Sequence, residues 1–290
     1  ADLLKRYEHK PEAFEWRMQF VGKGKGFRLQ KVTFPSPYPS PVEVNNTIHR
    51  EYSLTDREKA PGVIVLHILD GSFTVARVLC HRLAAGGVNA LLMKMPYYGP
   101  RSPSDRKHLE GELRKNPRLF VDTVTQAAMD VRRSAAWLSG RPEVDPERIG
   151  VCGVSLGGFA AALAGGVDGN FPRVAIILAG GDLPKMIIGA TSREVGPIWR
   201  AFQQKKWTPQ QVRDLLRPID PLTYAKRLKG SKPIMLNATR DTIVPPACAK
   251  ALREASGAEI TWFRANHYSM GFYLVAAGEK LLEHFSPEKW

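Results

Sequence analysis

The chain has 290 residues, of which 43% are hydrophobic, enough to bury one large core or two modest ones. It contains no apolar run of about 18 residues, so no membrane-spanning helix is expected. The 42 lysines and arginines outnumber the 28 acidic residues and give a net charge of +14. They are not interleaved with aromatic side chains, so no specific nucleic-acid partner is expected.

The cysteines and the first residues indicate little about the compartment. The three cysteines have no CxxC spacing and are expected to be buried thiols. No signal peptide is visible, so a cytoplasmic location is favoured, and export requires a leader before Ala1.

The first 60 residues predict an N-terminal arm and a β extension of the same domain. Residues 1–20 indicate an amphipathic arm that ends in a strand, and Phe27 to Phe34 alternate as a strand does. A loop with four prolines follows at 35–41. Thr47 to Leu54 is expected to pair with the preceding strand as a hairpin.

From Pro61 to the end the pattern alternates between strands and helices. Continuous apolar runs predict buried strands at 62–67, 88–95, 148–152, 174–178, 234–237 and 259–263. Helical spacing predicts helices at 73–85, 119–139 and 268–285. This alternation predicts an α/β domain over 61–290, with a mostly parallel sheet, helices on both faces and ligands bound beyond the carboxyl ends of the strands.

The alternation is interrupted between about residues 182 and 230. Helical sequence broken by prolines intervenes there, with Trp199, Phe202 and Trp207 among its apolar residues. We expect this insert to be a helical cap over the cleft, because long excursions in compact domains are often lids. The alternative is a surface excursion without a function.

The most informative motif is Gly-Val-Ser-Leu-Gly at 153–157. It follows an apolar strand and precedes a helical pattern, which is the context of a nucleophile elbow. So tight a turn strains the backbone of Ser155 and leaves no room for a Cβ at Gly153 or Gly157. The start of the following helix directs free N–H groups at an anion formed there. Ser155 is therefore the expected nucleophile.

A serine nucleophile needs a general base and a group that orients the base. His267 directly follows the last predicted strand and is the expected base, whereas His284 is expected on the surface of the terminal helix. Asp241 follows the strand at 234–237 and precedes His267 by 26 residues, room for one helix and one strand. Asp182 remains open as the alternative acid, and Asp220 is expected to cap a turn.

The oxyanion formed during acyl transfer needs two backbone N–H donors. Leu156, directly after the nucleophile, is expected to supply one. The second is expected from the loop after the strand at 62–67, from Leu69 or alternatively from Ile68. His67 is expected to brace this loop.

The long loop after the strand at 88–95 contains three candidate pocket residues. Tyr97, Tyr98 and Arg101 are expected either to border the substrate pocket or to pack the loop. No cluster of metal-ligating residues and no phosphate-binding glycine loop is visible, so neither a metal nor a cofactor is expected.

Residues from about 61 to 284 resemble the α/β-hydrolase superfamily. The motifs at 153–158, 241–245 and 266–268 match its three catalytic stations in order, and 67–72 resembles its oxyanion loop with Ile68 and Asp70 replacing two glycines. Within the superfamily, Met95–Arg101 and Asp220–Ala225 resemble dienelactone-hydrolase-like, acetyl-xylan-esterase-like and abhydrolase-18-like members. The resemblance implies an α/β-hydrolase fold and hydrolysis of a small carboxylic ester through an acyl-enzyme.

Two other functions remain open. The first is a serine peptidase or amidase of the same fold, less expected because the 290 residues hold no propeller-sized domain. The second is a non-catalytic scaffold that binds a polyanionic partner through its basic surface. The intact order of serine, aspartate and histidine argues against the scaffold.

Overall fold

The computed structural model describes residues 2–8, 12–69, 73–105 and 116–290. Their central element is a nine-stranded sheet with strands in the order β1-β2-β3-β5-β4-β6-β7-β8-β9. The strands are β1 Arg17–Gly24, β2 Phe27–Pro35, β3 Thr47–Thr55, β4 Ala60–Leu66, β5 Asn89–Met93, β6 Val144–Val154, β7 Arg173–Ile177, β8 Ile234–Ala238 and β9 Glu259–Phe263.

The pairing of the strands confirms a mostly parallel sheet. All pairs from β5 through β4, β6, β7 and β8 to β9 are parallel, and every residue of β4 and β5 is buried. The predicted hairpin is also confirmed, since β2 pairs antiparallel with β3 from Phe27 opposite Thr55 to Pro35 opposite Thr47. The N-terminal residues thus extend the same sheet by three antiparallel strands, of which β1 is the edge.

Helices cover both faces of the sheet, as the apolar runs predict. They are α1 Thr74–Ala85, α2 Pro117–Ser139, α3 Leu156–Asp168, α4 Leu183–Ile187, α5 Gly196–Gln204, α6 Pro209–Leu216, α7 Pro221–Tyr224, α8 Pro246–Ser256 and α9 Leu274–Phe285. The pair α1 and α9 packs on one face, and the pair α2 and α3 packs on the other. Within the described ranges, no helix is both long and apolar enough to cross a membrane.

The interruption after β7 is a helical segment that contains α4 to α7. Both of its ends are fixed by the buried carboxylate of Asp220, which accepts hydrogen bonds from the N–H groups of Asp182 at 3.0 Å and Leu183 at 2.8 Å. The same carboxylate caps α7 through the Leu222 N–H at 2.9 Å. Asp220 therefore has the capping role expected of it and also joins the two ends of the segment.

Two other expectations have different outcomes. Cys80, Cys152 and Cys248 are buried free thiols, as expected. The expectation that His284 lies on the surface is wrong: the residue is partly buried, with Nε2 shielded from solvent. Burial lowers its pKa to about 4, with smaller contributions from the charges of Arg173 and Lys232. The end of the chain folds over this region, because the Arg173 guanidinium donates to the Lys289 carbonyl and lies 5.1 Å from the Trp290 ring.

Candidate active site

Ser155 lies in the turn between β6 and α3, with backbone angles φ 54° and ψ −114°. Residues other than glycine rarely adopt these backbone angles, and the strain costs about 1–3 kcal/mol of folding free energy. A Cβ at Gly153 would lie 2.1 Å from the carbonyl oxygen of Gly157, and one at Gly157 would lie 2.5 Å from the carbonyl oxygen of Leu66. Glycine at these positions permits the close backbone contacts that hold the turn.

Three side chains from different loops meet at this turn. The Oγ of Ser155 lies 2.9 Å from Nε2 of His267, in the loop after β9. The Nδ1 of the same ring lies 2.7 Å from Oδ2 of Asp241, in the loop after β8. A carboxylate accepts, so the partners assign the ring proton to Nδ1 and leave Nε2 free to accept from the serine.

The backbone orients the Asp241 carboxylate. Its Oδ1 accepts hydrogen bonds from the N–H groups of Ile243 and Val244, both at 2.9 Å. The residue is only 4% exposed, so these bonds act away from bulk water. The orientation of the imidazole is therefore set by a carboxylate that is itself held at two points.

Asp182 has a different place in the structure. It precedes α4 in a left-handed conformation with φ 61°, and its carboxylate caps the helix by accepting from the Lys185 N–H at 3.2 Å. The structure brings Asp241, and not Asp182, to His267.

The predicted oxyanion donors lie on two segments that touch. Leu156 is the first residue of α3, where the N–H has no intrahelical carbonyl to bond. Gly157 packs against the backbone of Leu66 and His67, so the end of β4 lies beside the elbow. Leu69 follows in this loop and is 46% exposed, and residues 70–72 lie outside the described residues. The choice between Leu69 and Ile68 stays a prediction.

His67 braces the loop after β4. Its Nε2 accepts from the Met95 N–H at 3.0 Å, and its Nδ1 donates to the Ile68 carbonyl at 2.7 Å. The ring is buried and packs edge-on against Phe73 and Tyr98, each with ring centres 4.7 Å apart. These contacts agree with a structural histidine.

The three candidate pocket residues separate in the structure. Tyr97 has φ 67°, and its side chain lines a cavity of about 290 Å³ beside α2 that neither Ser155 nor His267 borders. Tyr98 packs on His67. Arg101 agrees with the second of its two expected roles, packing the loop, because its guanidinium is fully buried and pairs with Asp130 at 2.8 Å.

Sequence reasoning missed the polar residues that hold this loop. The backbone carbonyl of Asn45 accepts from the Arg101 guanidinium at 2.7 Å, and the Oδ1 of Asn45 accepts from the Tyr97 N–H at 2.9 Å. Asp130 also accepts from the Ser36 hydroxyl at 2.6 Å. Asp130 lies between the apolar Met129 and Val131, with Gln126 and Ser134 one helical turn away on either side, and this stripe of polar residues was the available signal.

A known protein family matches more than half of the chain. Residues 56–232 match the family described as alpha/beta hydrolase domain containing 18, a span that includes Ser155 and ends before Asp241 and His267. A comparison with curated protein sequences found no match.

Solved structures share the fold at low sequence identity. The acetyl xylan esterase from Paenibacillus sp. R4 is 18% identical with a TM-score of 0.76, over 97% of this chain and 90% of that chain. Acetyl xylan esterase 1 from Thermoanaerobacterium sp. JW/SL YS485 is 18% identical with a TM-score of 0.68, over 98% and 93%. A puromycin-hydrolyzing peptidase of Mycobacterium tuberculosis is 16% identical with a TM-score of 0.63, over 93% and 45%. The chain therefore belongs to the α/β-hydrolase superfamily, within the family alpha/beta hydrolase domain containing 18.

Proposed function

We propose that this hydrolase cleaves a carboxylic ester through an acyl-enzyme, with Ser155 as nucleophile, His267 as general base and Asp241 as the orienting acid. The observation that carries the proposal is the unbroken line of hydrogen bonds from the Ser155 hydroxyl through the His267 ring to the Asp241 carboxylate. A serine with such partners in a strained turn at a strand end has the geometry of an activated nucleophile.

The first half of the proposed reaction forms the acyl-enzyme. Nε2 of His267 takes the proton of the Ser155 hydroxyl as Oγ attacks the ester carbonyl carbon. The carbonyl oxygen becomes an oxyanion, which accepts from the Leu156 N–H and from a second N–H, of Leu69 or Ile68. The tetrahedral intermediate then collapses, and the leaving alcohol takes the proton from His267. Asp241 stabilises the positive charge of the imidazolium in between.

The second half releases the acid. Water attacks the acyl carbonyl and gives one proton to Nε2 of His267. The second tetrahedral intermediate collapses to the carboxylic acid, and His267 returns the proton to Oγ of Ser155. The original Ser155 proton leaves with the alcohol and a proton from water replaces it, so the enzyme is regenerated and the cycle consumes only ester and water.

We also propose that the helical segment after β7 is a cap over this site. The hydroxyl of Tyr268, the residue after the proposed base, donates to the carboxylate of Glu194 in that segment. The segment therefore contacts the loop that carries His267, which is where a cap would select the substrate.

A peptidase or amidase activity is the second candidate, supported by the shared fold with the puromycin-hydrolyzing peptidase. Ester hydrolysis is preferred because the fold match to the two acetyl xylan esterases extends over nearly the whole of both chains.

Labelling with a fluorophosphonate probe, together with a panel of p-nitrophenyl esters and a p-nitroanilide, tests the proposal. The wild type should be labelled and should turn over esters faster than the anilide. Ser155→Ala should lose labelling and on the order of 10³-fold or more in turnover. The exposed Ser139→Ala is the matched control and should behave as wild type. A folded Ser155→Ala protein with wild-type turnover would overturn the mechanism, and faster anilide hydrolysis would favour the amidase.

A further inference from the structure

An apolar ridge lies along β1, the edge strand of the sheet. We use the name β1 ridge for Met18, Phe20 and Val21, whose side chains are 41%, 57% and 53% exposed. Trp16 stands at one end of the ridge and is anchored to α2, with its ring 5.9 Å from that of Trp137. Large apolar side chains concentrated on one exposed edge indicate a contact surface.

Positive charge surrounds this ridge. Between Trp16 and Phe34 the chain has five basic residues and no acidic residue, at positions 17, 23, 25, 28 and 31. Lys23 and Arg28 lie directly opposite each other on β1 and β2, an arrangement of like charges that destabilises a sheet. Among the residues that the structure describes, Lys23, Lys25 and Arg28 have no ion-pair partner. An anionic partner would relieve this repulsion, whereas a second copy of this basic chain would increase it.

A bulge in β1 argues against another strand as the partner. Phe20 pairs with Gln30 and Gly22 with Leu29, so Val21 is an extra residue in the edge strand. Such a bulge interrupts the regular spacing of N–H and C=O groups and blunts strand addition. It also leaves two consecutive apolar side chains, Phe20 and Val21, more than half exposed. A lipid surface can bury apolar side chains whatever their spacing along the strand, and, unlike an added strand, it does not require a regular series of backbone hydrogen bonds.

We propose that the β1 ridge docks this protein on an anionic lipid surface. Met18, Phe20 and Val21 enter the boundary between headgroups and acyl chains, and Lys23, Lys25 and Arg28 contact the anionic headgroups. Apolar side chains flanked by lysine and arginine are the combination that binds such an interface.

Docking in this way leaves the candidate active site open. The turn between β1 and β2 lies at the end of the sheet where β4 and β6 begin, because β2 runs in the same direction as these strands. Ser155 lies at the opposite end of the strands, directly after β6 ends. Hydrolysis of a soluble ester should therefore not depend on the ridge, and the two proposals can fail independently.

Flotation of the full chain with vesicles of phosphatidylcholine, with and without phosphatidylglycerol, tests the proposal. The wild type should bind the anionic vesicles and not the neutral ones. The double variant Phe20→Ser/Val21→Ser should lose about tenfold or more in affinity for the vesicles, because it removes two apolar side chains that the lipid would bury. Val78→Ser, on α1 and 46% exposed, is the matched control and should bind as wild type.

A second pair of variants tests the charges. Lys23→Gln/Arg28→Gln should lose about 25-fold, since each basic residue at an anionic surface contributes about fivefold. Lys205→Gln/Lys206→Gln, two exposed lysines at the end of α5, should lose much less. Thermal unfolding of all variants checks that each is folded.

Three outcomes would overturn the proposal. The first is no binding to anionic vesicles, which would favour an acidic protein as the partner. The second is binding that depends on net charge but not on Phe20 and Val21, as adsorption of a basic protein would. The third is a dimer in sedimentation that the Phe20→Ser/Val21→Ser variant dissociates, because the ridge would then be covered by a second copy.

Discussion

Replacing Asp241 with asparagine is the sharpest test of the candidate triad, because the two carboxylate oxygens have separate partners. Oδ1 accepts from the N–H groups of Ile243 and Val244, and Oδ2 accepts from Nδ1 of His267. In Asp241→Asn only the amide oxygen can accept from the two backbone groups, so the amide NH₂ must face His267. It donates to Nδ1 and moves the ring proton to Nε2. His267 then presents a donor to Ser155 and cannot take its proton.

The expected loss follows from this inverted tautomer. The same substitution in a well-studied triad lowers kcat by about 10⁴-fold, or about 5.5 kcal/mol at about 1.4 kcal/mol per decade. The two backbone N–H groups keep their acceptor, so the free energy of unfolding should fall by no more than about 1–3 kcal/mol.

Asp182→Asn is the matched control. Asparagine keeps an acceptor for the Lys185 N–H and tolerates the left-handed backbone at this position. Its activity should stay within about tenfold of wild type, because it leaves the triad intact. Both variants are assayed on one activated p-nitrophenyl ester, after circular dichroism and thermal unfolding have shown that they are folded. An active Asp241→Asn protein beside an inactive Asp182→Asn protein would refute the reasoning.

Two further predictions concern the turn and the terminal helix. Gly153→Ala places a Cβ 2.1 Å from the Gly157 carbonyl oxygen, so it should destabilise the protein by about 1–3 kcal/mol or more and lower esterase activity; unchanged urea unfolding would contradict this. The pKa of His284 is lowered to about 4, so the folded protein disfavours its protonation. Stability should be complete above about pH 6.5 and fall by up to about 3 kcal/mol as the pH decreases to about 4. His284→Gln should flatten this decline in urea unfolding, and an equal decline in both proteins would contradict the assignment.

The sheet could be predicted because the signals for its strands and for the turn after β6 lie in residues that are neighbours in sequence. The apolar run of β4 can be satisfied only by burial on both faces, and glycines that flank a serine after such a run leave few alternatives to a tight turn. The order of Ser155, Asp241 and His267 along the chain then indicated which loops would meet. These inferences need only neighbouring residues and the rule that the carboxyl ends of parallel strands lie on the same side of the sheet.

Arg101 shows where such inference ends. A long basic side chain in a loop is normally exposed, because burying a charge is costly unless it is paired. Its partners Asp130 and Asn45 come from α2 and from the segment before β3, and no local pattern announces that they converge. His284 was misplaced for a similar reason, since Arg173, which donates to the His284 carbonyl and lowers the pKa of its ring, is distant in sequence.

The double attachment at Asp220 has an evolutionary consequence. One carboxylate holds the first residues of the segment and its far end within hydrogen-bond distance, so the two ends stay together when the length of chain between them changes. Doubling the length of a flexible loop closed in this way costs only about 0.6 kcal/mol. Insertions, deletions and exchanges should therefore accumulate between Leu183 and Asp220 in related proteins, and new substrate ranges can arise there without disturbing the strands that carry the chemistry.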